Sequence, residues 1–461
     1  MDDVPPPEAF EPEPDEPSTD GRWRRRLQMA VILILVASLI VLAAVQGGGF
    51  IIQGDDGDPQ TVREAVVPRL AVVGANGALS TIDDQGSSVV AQDVLGVVFQ
   101  FPAWSPDGLH LAAIGQGSRG TGVYVFDTRP GDLSPAEPRV IYESPEQAPF
   151  YLYWSPDSAQ LTFLTTEADG LALRMAPADG SGSAYVVRSG APMYWDFVDA
   201  GRLLVHSGAV GADGFFGEIG ADGGPFQGTD RPAGVFRAPS VSASGRYRAY
   251  LAAGDDSVGE IVRETRDGAE TTRIRVFGTA AMSFSPVDDD LAFLALDRPA
   301  SNTLPLPVGP LRILRSGASE ARSVYPGSVV AFFWSPTGEE VAVLELQDTD
   351  DNVTEAGMGG AVLASTAQEA AAGLVLGLAF VDVASGTVRS ERPVRLSSLF
   401  INQVLPFFDQ YALSHRFWSP DGTAIALPLV GPGDVTEVTV IPADGSEPRV
   451  VATAEMGFWN R

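Results

Sequence analysis

One short motif, Trp-Ser-Pro-Asp-Gly, recurs along this chain and restricts its fold more than any other feature. Its copies, some of them degenerate, begin at Trp104, Trp154, Trp195, Val241, Phe284, Trp334 and Trp418. Successive copies lie 50, 41, 46, 43, 50 and 84 residues apart, and apolar stretches flank each one. A repeat of about 40 to 50 residues with several short strands is typical of a β-propeller blade, so the sequence predicts an all-β fold of four-stranded blades.

The chemistry of the motif explains why it recurs. Proline sets φ near −65° at the second position of a turn, and glycine accepts the positive φ that completes it. The tryptophan ends the innermost strand of each blade, where we expect it to pack between neighbouring blades. The chain contains 50 Gly and 35 Pro residues, as expected for many short strands joined by turns.

The two ends of the repeat region are expected to complete one blade between them. Residues 69–93 supply a second, third and fourth strand without a first, whereas residues 455–460 supply a first strand with Trp459 at the motif position. Closure of this kind leaves no edge strand exposed. The count is then eight blades. Seven remain an alternative if the Val241 copy or the long unit after Trp334 is not a standard blade.

The motif, followed by an apolar strand and then by Val-Phe-Asp or Pro-Ala-Asp-Gly, resembles the TolB-type (WD40-like) propeller repeat over residues 66–461. This repeat occurs in the periplasmic protein TolB and in the propellers of enzymes similar to prolyl oligopeptidase. The resemblance implies a bacterial envelope protein that binds another envelope protein or a membrane complex. The α/β domain of TolB has no counterpart in this sequence, so a role in the Tol–Pal system is not implied.

The first 65 residues have a different character. Residues 1–21 are acidic and rich in proline, which predicts a disordered tail. Residues 22–46 combine four arginines with an uncharged apolar run, Leu27–Val45, that is long enough to cross a bilayer as a helix. By the positive-inside rule we expect the tail in the cytoplasm and the propeller in the periplasm or at the cell surface. A cleaved signal peptide is the alternative. Residues 47–65 are interpreted as a stalk.

Composition argues against several kinds of site. The formal net charge of −29 and an isoelectric point near 4.3 disfavour a nucleic-acid partner, because phosphate binding needs a basic surface. The chain has no Cys, which excludes disulfides and Cys-ligated metals. We predict no metal site and no cofactor. The glycine-rich stretch Gly115–Gly120 lies between two strands, without the helix that a phosphate loop needs, so we interpret it as a hairpin turn.

The copy at Trp418 carries an unusual set of polar and aromatic residues ahead of its motif. We predict a binding surface formed by Phe407, Phe408, Asp409, Gln410, Tyr411, His415 and Arg416. The insertions 298–310, 348–371 and 396–412 place three long loops in one sector of one face, from which these residues lead into the central channel.

Two other interpretations of this stretch remain open. The simpler one is an innermost strand decorated with polar residues and without a partner. The other is catalysis by Asp409, Ser414 and His415, which is disfavoured because adjacent side chains on a strand point to opposite faces.

The sequence therefore predicts a membrane-anchored, extracytoplasmic β-propeller that acts as a non-catalytic module for protein binding or scaffolding. No Gly-x-Ser-x-Gly or His-Glu-x-x-His motif is present. The alternative is a small-ligand sensor or an enzyme that uses the channel mouth near residues 396–416.

Overall fold

The computed structural model describes residues 68–460 except 84–85, 87–88, 93, 129–136, 169, 209–214, 226, 229–232, 236, 255–258, 297–306 and 348–373. The predictions for residues 1–65, including the span Leu27–Val45, lie outside this part, as do most of the loops 298–310 and 348–371. None of the helices in the described part is long and apolar enough to cross a membrane.

The described strands form antiparallel sheets and fall into eight groups, which we name blades 1 to 8. Blades 1 to 4 are separate four-stranded sheets. Blade 1 contains β1 (Arg69–Val73), β2 (Leu79–Asp83), β3 (Val89–Ala91) and β29 (Met456–Trp459). Blade 2 contains β4 (Val98–Trp104), β5 (His110–Gly117), β6 (Gly120–Asp127) and β7 (Arg139–Ser144). Blade 3 contains β8 (Pro149–Trp154), β9 (Gln160–Glu167), β10 (Gly170–Pro177) and β11 (Tyr185–Gly190). Blade 4 contains β12 (Met193–Asp199), β13 (Arg202–Ser207), β14 (Phe215–Gly220) and β15 (Gln227–Gly228).

Blades 5 to 7 share one ten-stranded sheet, because two long strands each run from the outer edge of one blade into the inner edge of the next. Blade 5 contains β16 (Ser240–Val241), β17 (Tyr247–Ala253), β18 (Gly259–Thr265) and the first half of β19 (Thr271–Phe284). Blade 6 contains the rest of β19, β20 (Leu291–Leu296), β21 (Gly309–Leu314) and the first half of β22 (Arg322–Trp334). Blade 7 contains the rest of β22, β23 (Glu340–Leu346), β24 (Leu376–Asp382) and β25 (Val388–Val394). Blade 8 contains β26 (Ala424–Val430), β27 (Thr436–Pro442) and β28 (Arg449–Thr453), with Trp418 bridged to Ile425 at its inner edge.

The motif makes the same hydrogen-bonded turn in several blades. In blade 2 the Ser105 hydroxyl donates to Asp107 Oδ1 at 2.5 Å and accepts the backbone N–H of His110 at 2.9 Å. The same two contacts recur after Trp154 and after Trp418. The predicted role of the motif as a turn between the first and second strands is therefore confirmed.

Motif tryptophans connect neighbouring blades. Four of them donate the indole N–H to a backbone carbonyl of the preceding blade at 2.9 to 3.2 Å: Trp104 to Phe458, Trp154 to Ala103, Trp334 to Ser283 and Trp418 to Phe333. Trp195 donates instead to the Thr162 hydroxyl at 3.0 Å, and that hydroxyl donates to the carbonyl of Tyr153. The predicted position of these tryptophans between blades is confirmed.

Backbone amides make the remaining connections between inner edges. They run from Val241 to Asp196, from Phe284 to Ser240 and from Trp459 to Arg416. Contacts of this kind thus link each blade to the next and blade 8 to blade 1, although the described strands form no closed sheet. Four-stranded sheets joined in this way are those of a propeller-like fold.

The predicted pairing of the two ends of the repeat region is confirmed. Strand β29 runs antiparallel to β1, with Leu70 opposite Trp459. Beyond the last pair, Asn460 Oδ1 accepts the backbone N–H of Arg69 at 2.9 Å, and the Asn460 amide donates to the Arg69 carbonyl at 2.9 Å. The first and last described segments therefore lie in one sheet.

The inner edge of blade 8 differs from the prediction. Where an innermost strand was expected, the chain forms a π-helix (Phe400–Val404), a 3-10 turn (Leu405–Phe407) and α1 (Phe408–Ser414). One more 3-10 turn, Pro432–Asp434, follows β26. The interpretation of this stretch as a polar-decorated strand is wrong, because the insertion supplies enough chain to form a helix before the motif begins.

Candidate functional site

The helical segment 400–414, which we name the channel helix, packs against the inner edges of the blades. Four of its apolar side chains are buried: Phe400, Val404, Leu405 and Phe408. Phe408 contacts Phe332 and Phe333 of blade 7 edge to face, with ring centroids 5.5 and 6.1 Å apart. Such aromatic pairs contribute about 0.5–1.5 kcal/mol beyond the burial of their surface. The insertion is therefore part of the hydrophobic core.

Gln410 joins the channel helix to blades 3 and 4. Its side-chain amide donates to Tyr151 Oη at 2.8 Å and to the Trp195 carbonyl at 3.0 Å, and its Oε1 accepts the Trp195 N–H at 3.3 Å. The Tyr151 hydroxyl donates to the backbone carbonyl of Gln410 at 2.6 Å. All three residues are buried, where a polar group left without a partner costs about 1–3 kcal/mol.

Two bulges in innermost strands direct aromatic rings at the channel helix. Phe101 and Tyr151 have φ angles of 49° and 52°, a left-handed region that is uncommon for residues other than glycine. Each lies where the register of its strand shifts. The Phe101 ring stacks on Tyr411 at 5.6 Å, and the Tyr151 ring meets it edge to face at 5.3 Å. These contacts offset the backbone strain.

Asp409 anchors the start of α1 to blade 5. Its Oδ2 accepts the backbone N–H of Ala238 at 3.3 Å. Burial raises the pKa of Asp409, and the guanidinium of Arg237 offsets part of that rise. Arg237 also donates to the Pro406 carbonyl at 3.1 Å and to the Thr279 hydroxyl at 2.7 Å. The carboxylate and the guanidinium therefore hold the helix from one side.

Most of the predicted binding residues face the protein's own blades. Phe408, Asp409, Gln410, Tyr411 and His415 are at most 9% exposed. Phe407 and Arg416 are partly exposed. The structure brings all seven together on one helix and its C-terminal end, and gives the five buried ones a packing role. Binding of a partner by this set stays a prediction.

Ser414 and His415 are hydrogen-bonded, with 2.6 Å between Oγ and Nδ1. The expectation that their side chains point to opposite faces was wrong, because Ser414 ends a helix rather than lying on a strand. Asp409 bonds to the backbone N–H groups of Ala238 and Gln410, so it does not orient the imidazole. Burial lowers the pKa of His415 to about 3, so its ring is neutral at pH 7. The pair lacks the carboxylate of a Ser-His-Asp triad.

A cavity of about 330 Å³, which we name the axial cavity, lies where the innermost strands reach the motif turns. Seven blades contribute a wall residue at or beside the motif position: Tyr153, Asp196, Ser240, Ser283, Phe333, Phe417 and Asn460. His415 and Arg416, at the end of the channel helix, also line it. The cavity therefore brings the predicted residues His415 and Arg416 together with motif residues of several blades.

Asp196 is the acidic residue in the lining of the axial cavity, and it is 5% exposed. Its Oδ1 accepts the Tyr153 hydroxyl and the Phe197 N–H, and its Oδ2 accepts the Val241 N–H, each at 2.8 Å. Burial raises the pKa of Asp196 to about 6, and these hydrogen bonds limit the rise. Asp196 thus connects blades 3, 4 and 5 and is mostly ionised at pH 7.

Sequence reasoning missed Asp196, although the repeat contained an indication of it. Six copies of the motif have Ser directly after the first residue, whereas the copy at Trp195 has Asp. The carboxylate does not make the hydroxyl-capped turn of the other copies and instead contacts two neighbouring blades. A residue that departs from the repeat at the motif position is therefore a candidate for a role other than the turn.

A larger cleft, of about 550 Å³, lies between blades 8 and 1. Three of its charged side chains already have partners: Arg389 with Glu340, Asp421 with Ser419, and Asp444 with Ser446. The axial cavity has more aromatic lining and a buried carboxylate, so it is the stronger candidate for a binding site. Among the described residues, no group of three His, Asp or Glu side chains could hold a metal ion.

No protein-family model matches this sequence, and no curated protein matches it. Similar solved structures include the dihydro-heme d1 dehydrogenase NirN in complex with DHE, with 12% identity, a TM-score of 0.50, and coverage of 87% of this chain and 77% of that chain. A putative TolB from Agrobacterium tumefaciens has 16% identity, a TM-score of 0.35, and coverage of 57% and 91%. The β-propeller domain of the Trilobed protease from Pyrococcus furiosus has 12% identity, a TM-score of 0.41, and coverage of 68% and 88%. At these identities the likeness concerns the fold alone.

Proposed function

We propose that this chain is a membrane-anchored, extracytoplasmic, closed eight-bladed β-propeller that binds a partner protein at the rim of the axial cavity without catalysing a reaction. The axial cavity is the observation that carries this proposal. Seven blades hold its lining in fixed positions, which lowers the entropy cost of binding. The proposed location rests on the apolar segment Leu27–Val45 and on the resemblance to the TolB-type repeat.

Two bulky substitutions on different faces test the proposed surface. Ala243 is exposed and lines the axial cavity, so Ala243→Trp should block the mouth without disturbing the core. Ser118 is exposed at the hairpin between β5 and β6, at the opposite end of the strands, so Ser118→Trp is the matched control. Wild-type and variant proteins are crosslinked in native membranes, purified, and analysed by mass spectrometry.

We expect proteins that are enriched with the wild type and with Ser118→Trp to be lost with Ala243→Trp. Equal enrichment in all three samples would overturn the proposed surface. Location is tested separately with protease added to spheroplasts. The propeller should be digested and residues 1–21 should be protected if the chain is anchored as proposed.

A second candidate function is a small-ligand sensor or enzyme at the same cavity. The buried carboxyl of Asp196, with its pKa raised to about 6, favours it, because functional groups in clefts often have shifted pKa values. A thermal-shift screen of metabolites, followed by turnover assays of the hits, separates the two functions. A hit whose shift disappears in Ala243→Trp would support the second function.

A further inference from the structure

We propose that the axial cavity receives a basic side chain, arginine or lysine, of a partner protein and that Asp196 pairs with its cationic group. The inference rests on the binding role proposed above and adds the chemistry of the partner. It follows from the hydrogen-bond partners of Asp196, from the residues around it and from the charge of the chain.

The carboxylate of Asp196 has no counter-ion within the described residues. All three of its hydrogen-bond donors are neutral: the Tyr153 hydroxyl and the backbone N–H groups of Phe197 and Val241. A buried carboxylate without an opposite charge is costly, and a cation that approaches it recovers part of that cost. Asp196 therefore favours a positively charged guest over a neutral one.

Aromatic residues line the same cavity as Asp196. Among the lining residues are Phe197, Phe284, Phe333 and Trp334. The faces of such rings attract guanidinium and ammonium groups, by about 0.5–2 kcal/mol for each well-placed contact. An aromatic wall beside one carboxylate is suited to the long side chain of arginine or lysine, whose methylene groups are apolar and whose end is charged.

Arg416 and His415 are the other charged or titratable groups at the cavity, together with Tyr153. Burial raises the pKa of Tyr153, and the guanidinium of Arg416 offsets part of that rise. Arg416 therefore acts on the hydroxyl that donates to Asp196.

The overall charge favours a basic partner. The chain carries 59 Asp and Glu against 30 basic residues, for a formal charge of −29. A field of this sign attracts positively charged proteins and raises their association rate, more strongly at low salt. A basic segment of a partner would thus be both attracted over a distance and fixed by Asp196.

N-acetylarginine methylamide and its citrulline analogue are the probes for this inference, because the two differ in charge and hardly in shape. Binding is measured by calorimetry and by NMR with the full chain in detergent. We expect the arginine probe to bind in the millimolar range and the citrulline probe to bind at least tenfold more weakly. Asp196→Asn should remove this preference, and Glu447→Gln, which neutralises an exposed acid, should retain it.

The wild type alone provides a second measurement that does not depend on how Asp196→Asn folds. Ionisation of Asp196 between pH 5 and pH 7.5 should strengthen binding of the arginine probe about tenfold, because only the ionised fraction pairs with it. His415 stays neutral over this range, since burial lowers its pKa to about 3. Equal binding of both probes, or binding that does not depend on pH, would overturn the inference.

The two proposals can fail separately. If Ala243→Trp abolishes capture of the partner but Asp196→Asn leaves both capture and probe binding unchanged, the binding surface stands and the pairing with Asp196 is wrong. If neither substitution changes capture, the proposed function itself fails.

Discussion

Tyr151 and Gln410 are 259 positions apart in the chain and exchange two hydrogen bonds at the inner edge of blade 3. The Tyr151 hydroxyl donates to the Gln410 carbonyl at 2.6 Å and accepts a hydrogen bond from the side-chain amide of Gln410 at 2.8 Å. Tyr151 reaches this position because its backbone bulges out of β8 with a positive φ. An irregularity in one blade and an insertion before another therefore form one structural unit.

The substitution Gln410→Leu should destabilise the protein strongly. Leucine is similar in volume, but it leaves both backbone groups of Trp195 without their partners and removes one of the two hydrogen bonds of the Tyr151 hydroxyl, which still donates to the backbone carbonyl at position 410. With about 1–3 kcal/mol for each of the two backbone groups of Trp195, the free energy of unfolding should fall by about 2–6 kcal/mol. Urea denaturation followed by tryptophan fluorescence measures this change. The control Gln227→Leu, on the exposed β15, should change stability by less than about 0.5 kcal/mol. Equal effects would show that Gln410 is not the connection described.

The substitution Phe408→Ala tests whether the channel helix belongs to the core. Phe408 is 1% exposed and contacts two phenylalanines of blade 7, so its removal should cost about 3–5 kcal/mol. Leu413→Ala, in the same helix but partly exposed, should cost about 1 kcal/mol. A small loss of stability at both positions would mean that the blades fold independently of the helix.

A larger change tests the same point. If the channel helix belongs to the core, replacing residues 396–412 with a Gly-Ser linker should abolish cooperative unfolding.

The repeat made the blades predictable, because its turn residues and its tryptophan act within one blade or between neighbours. The interpretation of Gly115–Gly120 as a hairpin is confirmed, with Gly117 opposite Gly120 in the β5–β6 pair. The pairing of β1 with β29 could be predicted for the same reason, since an incomplete blade at one end matched an incomplete blade at the other.

The channel helix was missed because the repeat suggested an innermost strand at that place. Its apolar residues Phe400, Val404 and Phe408 recur every four positions, which is a helical period rather than a strand period. The contacts of Gln410 could not have been predicted, because they depend on bulges at Phe101 and Tyr151 that no residue type in those strands demands. Tertiary packing, not local preference, determines these bulges, whereas the helix has a local pattern of its own.

The glycine-rich hairpin offers a prediction that separates packing from phosphate binding. Gly120 has a φ of 129°, and a Cβ there would collide with the carbonyl of Ser144. Gly120→Ala should therefore lower the free energy of unfolding by about 2–4 kcal/mol. Gly245 also has a positive φ, of 69°, but a Cβ there would meet no atom within 4 Å, so Gly245→Ala should cost only about 1 kcal/mol. Thermal or urea unfolding measures both values. Equal losses of stability in the two variants would mean that the Ser144 carbonyl does not exclude a side chain at position 120.

Two buried groups with shifted pKa values make opposite contributions to the dependence of stability on pH. The pKa of Asp196 is raised from 3.8 to about 6, so the folded state holds the proton of this carboxyl group more tightly than the unfolded chain does. The stability that this proton contributes is lost as pH rises from about 4 to 6. The pKa of His415 is lowered from 6.5 to about 3, so the folded state resists protonation, and stability is lost as pH falls below about 6.5. The two slopes overlap, and a single pH curve of the wild type would not separate them.

Asp196→Asn isolates the contribution of the carboxyl group, because asparagine resembles the protonated form and leaves His415 unchanged. The stability of the wild type relative to this variant should fall by about 2–3 kcal/mol between pH 4 and pH 7, which is most of the change that a shift of about two pKa units produces. Urea denaturation at half-unit pH steps measures the difference. Glu447→Gln, which replaces an exposed residue, is the control: the difference in stability between the wild type and this variant should hardly change with pH. Parallel curves for the wild type and Asp196→Asn would mean that Asp196 is solvated as in the unfolded chain, and the axial cavity would then lack the buried, unpaired charge that makes it selective for a cation.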